Sequence, residues 1–157
     1  MIADVEYLTG KAARLGLMVN VGVPAIVVIT AIALRQGGAI PSNGDPPEWL
    51  PLLFYIMGAV AVADLAVAYF VRRFLFASNR LAVARNDPAQ LEELVSRSLL
   101  IIFALGASPM VYGVVVYLLG GDLQQLAFFG ILTLLGYRFL RPTADFLQGA
   151  LGMTESQ

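Results

Sequence analysis

Four apolar runs, each about as long as a lipid bilayer is thick, are what this chain has to accommodate. They lie near residues 15–34, 52–71, 99–119 and 123–140. A helix rising 1.5 Å per residue needs about 20 residues to cross about 30 Å of hydrocarbon. Inside hydrocarbon no water is present to bond free N–H and C=O groups, so segments of this length are helical. The charged content of 13% beside 59% hydrophobic residues agrees, since soluble chains carry about 25% charge. Four spans use about half of the 157 residues. The expected fold is therefore one all-α domain, an integral membrane four-helix bundle with short interfacial N- and C-terminal segments.

The segments between the runs set its outline. Residues 1–14 place Ile2, Val5 and Leu8 at near-helical spacing among charged side chains, which predicts a short helix lying at the membrane surface. Asp4 and Glu6 stand where a signal peptide needs a basic region, so the first span is expected to be retained. That span contains Asn20 and Pro24. The following stretch, RQGGAIPSNGDPPEW, is rich in chain breakers, and Trp49 at its end suits a headgroup interface. Span two carries Gly58, Ala59, Ala61, Ala63, Ala66 and Ala68, small residues that let another helix approach closely. Nothing in FLFASNRLAVAR breaks a helix before Asn86. Asp87-Pro88 reads as an N-cap followed by an N1 proline. Residues 72–98 are thus expected as a helical hairpin extension beyond the membrane. Gly120-Gly121-Asp122 turns tightly into span four, and Phe146, Leu147, Leu151 and Met153 predict an interfacial tail.

Basic residues give the orientation. Lys11, Arg14, Arg72, Arg73, Arg80, Arg85, Arg97, Arg138 and Arg141 fall on one side of the four spans, and of the 10 basic residues only Arg35 falls on the other. Cytoplasmic flanks are enriched in Lys and Arg. The expectation is a multi-pass protein of the inner (cytoplasmic) membrane with both termini and the 72–98 hairpin in the cytoplasm.

Chemistry is restricted by what is missing. The chain has no cysteine and no histidine, which removes thiolates, disulfides, imidazole ligands and the usual neutral-pH base. No paired carboxylates, Ser-His-Asp set or glycine-rich phosphate loop is present. No enzyme, metal or cofactor is expected, and the scattered basic residues argue against nucleic acid.

Asp64 is the one acid inside a span, eight residues or about 12 Å before Arg72. A carboxylate at that depth costs about 2.5–3.5 kcal/mol on insertion scales. It is expected either to tie helices together through Asn20, Ser108, Thr133 or Tyr112, or to handle an ion. Counting ten residues inward from Arg97 brings Ala107 to a similar depth, so Ser108 and Tyr112 are in reach. The candidate intramembrane site is Asp64, Ser108, Tyr112 and Asn20. Arg72, Arg73, Arg80 and Arg85 are candidates for docking a cytoplasmic subunit or holding anionic headgroups.

The hairpin over residues 52–121 resembles the c-type proteolipids of rotary ATP synthases and V-type ATPases. Those proteins pair a small-residue helix with a second helix bearing a carboxylate five residues before Tyr-Gly and a run of aliphatics. Here Tyr112-Gly113-Val114-Val115-Val116 matches the Tyr-Gly-aliphatic part, whereas Ala107 occupies the carboxylate position. The resemblance implies proton or sodium translocation, with Asp64 of the neighbouring helix at similar depth to the missing acid. Two functional expectations follow. The first is a non-enzymatic accessory or structural subunit of a larger inner-membrane complex, in contact with membrane lipids and with other membrane subunits or further copies of itself. The alternative is a proteolipid-like ion-translocating subunit that uses Asp64.

Overall fold

A computed structural model describes residues 5–39, 46–77, 81 and 87–151. The helices are α1 (Val5–Leu17), α2 (Val23–Gln36), α3 (Leu50–Leu75), α4 (Pro88–Leu118), α5 (Leu123–Leu140) and α6 (Ala144–Ala150), with a π-helical turn at Met18–Gly22 between α1 and α2. Among the described residues four stretches are long and apolar enough to cross a membrane: Val5–Gln36, Leu50–Leu75, Ala89–Leu118 and Leu123–Leu140. The chain is an all-α membrane protein built as a four-helix bundle.

Two boundaries differ from expectation. The N-terminal segment is not a separate surface helix: it is the beginning of a helical stretch that runs 32 residues from Val5 to Gln36. Pro24 lacks the N–H that would bond the carbonyl of Asn20 four residues earlier. The helix absorbs this by widening one turn, so that the N–H of Val23 bonds Met18 O five residues back. The first turns are held against α4 and α6. Leu8 and Ala12 are buried, Lys11 Nζ pairs with Glu92 Oε1 at 2.5 Å, and Tyr7 OH donates to the same carboxylate oxygen.

At the other boundary, α3 stops at Leu75 instead of continuing to Asn86. Phe76 N–H bonds Arg72 O, and Ala77 N–H reaches back only three residues to Phe74 O, a tightening that closes a helix. Residues 78–80 and 82–86, with Arg80 and Arg85, lie outside the described residues. The start of α4 is as the sequence predicts, with Asp87 Oδ1 accepting from Ala89 N (3.0 Å) and Gln90 N (3.2 Å).

In the bundle α4 is central. Half of its apolar window, 50%, is buried, against 11% in each of the first two spans and 28% in α5. Glycines permit the close approach. A Cβ on Gly113 would lie 2.6 Å from Phe129 Cβ on α5, and one on Gly136 of α5 would lie 2.6 Å from Leu65 of α3. Helix association in lipid relies on such packing because lipid tails are as apolar as the side chains. At one end of the bundle Arg35 Nη1 bonds the carbonyls of Tyr117 (2.9 Å) and Gly121 and lies 4.5 Å over the Tyr117 ring. The single basic residue of that side thus bonds one terminal carbonyl of α4 and one of the turn that follows it, where the helix dipole favours a cation.

Gly113→Ala is expected to lower unfolding free energy in mixed micelles by about 1–3 kcal/mol through overpacking. Gly10→Ala, at a helical position where an added Cβ meets no side chain of the described residues within 4 Å, is expected to leave stability unchanged or raise it.

Candidate functional site

Asp64 stands near the middle of α3, fourteen residues after Leu50 and eleven before Leu75. Residues four apart on a helix share a face, so α4 presents Ser108 and Tyr112 to it together. Tyr112 OH donates to Asp64 Oδ2 at 2.6 Å, and Ser108 Oγ lies 2.9 Å from the same oxygen. All three side chains are half-buried. Four residues before and three after Asp64, Val60 and Val67 of α3 are exposed, as are Val111 and Val115 beside Tyr112 on α4.

Pro109 extends the site by one group. It supplies no N–H, so Leu105 O has no helical donor four residues on. Ser108 Oγ lies 2.8 Å from Leu105 O and fills that role. Three contacts therefore link four oxygens, from Tyr112 to Asp64, from Asp64 to Ser108 and from Ser108 to Leu105. The two hydroxyls bring two hydrogens between them. With Asp64 ionised, one contact lacks a hydrogen; a proton on Oδ2 completes the set. The donor atoms are all oxygen, so the arrangement can tie helices, exchange a proton or present oxygens to a hard cation.

Asn20 does not join this set. It is buried, its Nδ2 donates weakly to Gly16 O at 3.4 Å, and its Oδ1 has no hydrogen-bond partner among the described residues. That oxygen faces α4 at Gly106, where a Cβ would lie 3.1 Å away. Thr133, also considered as a partner for Asp64, donates to Phe129 O in its own helix at 3.0 Å.

Of the arginines expected to face outward, Arg72 is engaged inside the chain. Its Nη1 donates to Phe139 O near the end of α5 at 2.6 Å, and its guanidinium lies 4.1 Å over the Phe146 ring of α6. Phe146 in turn packs edge-on against Phe76. Arg73 is exposed. Sequence reasoning missed the capping roles of Arg35 and Arg72, which join residues 82 and 67 positions apart. It also missed the Asp122–Gln125 capping box that starts α5, although the spacing Asp-x-x-Gln signals it.

No protein-family model matches the chain, and no curated protein or solved structure matches it.

A double-mutant cycle with Asp64→Ala and Tyr112→Phe is expected to give a coupling energy between about 0.6 and 1.7 kcal/mol, the range of hydrogen bonds between membrane helices. Unfolding in mixed micelles measures it. Additive effects would mean that the 2.6 Å contact contributes nothing.

Proposed function

We propose that the chain is a non-enzymatic subunit of a larger inner-membrane complex, oriented with both termini toward the cytoplasm, and that it docks in the plane of the membrane through the outer face of α3 and α4. The observation that carries this reading is the half-open carboxylate at mid-span. Ionisable side chains inside membranes face a bundle interior, a partner or a water-filled cavity, and Asp64 with Ser108 and Tyr112 is only partly covered by its own chain. On the outer face of the same helix the surface is small: Ala59, Ala63 and Ala66 are exposed at helical spacing, a pattern that lets a further helix come close. The occupant proposed is a transmembrane helix of a different polypeptide. The orientation rests on the nine basic residues of one side.

Gentle solubilisation of native membranes is expected to recover the chain with larger polypeptides. Ala63→Leu is expected to release them without lowering the stability of the chain itself. A clean monomer in native mass measurement argues against the proposal, and a complex containing only copies of this chain overturns the choice of partner.

The Asp64 oxygen set also supports the second reading, a proteolipid-like proton or sodium subunit. It predicts a homo-oligomer in which a carbodiimide modifies Asp64 and sodium protects it. Ion transport unchanged by Asp64→Asn would reject it.

A further inference from the structure

Where α5 passes into α6, the chain leaves an open cavity of about 450 Å³. Thr9 of α1, Tyr137 and Arg138 of α5, and Arg141 and Thr143 of the connection are among its walls, and among the described residues no acidic side chain lines it. Glu92 pairs with Lys11 and Glu93 with Arg97, while Glu6 of α1 and Asp145 of α6 are exposed and stand outside the lining. Arg138 and Arg141 are exposed, and among the described residues their guanidinium groups have no hydrogen-bond or ion-pair partner. Thr143 Oγ1 accepts from Phe146 N at 3.3 Å, which leaves its own hydrogen to donate. Tyr137 OH is turned away to Ala13 O. The cavity therefore presents two guanidinium groups, each with five N–H donors, and a hydroxyl donor. Such a donor set suits a tetrahedral oxyanion, which arginine binds through two parallel hydrogen bonds.

A free phosphate and a lipid headgroup share that chemistry, and the helix surface leading to the cavity separates them. Ile131, Leu134, Arg138 and Arg141 follow at spacings of three, four and three residues, so they form one stripe along α5 and its cap. Ile131 and Leu134 are 59% and 52% exposed. The stripe is apolar through the span and cationic at its end, which matches an amphiphile lying along the helix. A free phosphate would use only the cationic half.

We infer that this cavity binds the phosphate of an anionic glycerophospholipid between Arg138 and Arg141, with an acyl chain along Ile131 and Leu134. The site is separate from Arg72, whose guanidinium is held by Phe139 O and Phe146, and it does not depend on what covers Asp64.

The test is native mass spectrometry of the full chain released from vesicles containing equal phosphatidylglycerol and phosphatidylcholine. The wild-type chain is expected to keep one phosphatidylglycerol and little phosphatidylcholine. The Arg138→Gln/Arg141→Gln variant is expected to lose retention by about thirtyfold, the factor that two arginines near a membrane surface provide. Arg73→Gln, exposed but outside the cavity, is expected to behave as wild type. Thermal unfolding of the double variant at the wild-type temperature shows that the fold is kept, since both side chains are exposed. Equal retention by the double variant, or equal retention of the two lipids, overturns the inference. Displacement of the lipid by millimolar inorganic phosphate alone, with a phosphate adduct in its place, overturns the lipid assignment in favour of a free-anion site.

Discussion

The bundle depends on α4 having neighbours on several sides. In lipid there is no hydrophobic gain from moving an apolar side chain from tails to protein, so what holds helices together is close fit and hydrogen bonding. α4 supplies both. Gly113 lets Phe129 of α5 press against its backbone, and Ser108 and Tyr112 reach the one acid of α3. The first span packs along the same helix, joined outside the apolar region by the Lys11–Glu92 pair. With α4 half-buried, the outer surfaces of α2, α3 and α5 and the strip of α4 that carries Val111 and Val115 are left to lipid or to partners.

Helix ends are the second demand. The last carbonyls of each helix lack intrahelical donors, and at a membrane boundary water is a variable partner. The chain meets this with arginines carried by other spans: Arg35 closes α4 and Arg72 closes α5. Each also lies over an aromatic ring, Tyr117 or Phe146, so the cation is held by packing as well as by charge. These two contacts tie opposite ends of the bundle and remove Arg72 from the pool of outward-facing arginines. Arg73 stays exposed, and Arg138 and Arg141 remain to serve the surface.

Much of the fold was legible in the sequence because hydrocarbon length and backbone bonding leave few options. The depth argument also placed Asp64 beside Ser108 and Tyr112, since counting inward from Arg72 and Arg97 fixes height within the membrane. Height alone does not fix the direction a side chain faces around the bundle. Asn20 has comparable polarity but meets α4 at Gly106 instead of at Asp64. The continuity of the first helix was hidden by the charged side chains among residues 1–14, which set that stretch apart from the apolar run that follows, although one helical stretch runs from Val5 to Gln36. The end of α3 at Leu75 was hidden as well: no proline or glycine marks it. Arg35 and Arg72 act across long stretches of chain, and no local pattern announces such contacts. The sharing of Ser108 between Asp64 and Leu105 was within reach, as Ser-Pro in a helix always leaves a carbonyl to be satisfied.

The outer face of α3, which carries Ala63, is the proposed seat of a helix from another polypeptide. A photoreactive amino acid at position 63, activated in intact cells, tests it most directly. The expected product is a crosslink to a larger, different membrane protein, lost when the reactive group is moved to the buried position 61. Products confined to lipid adducts of a monomer, or to dimers of this chain, would contradict it.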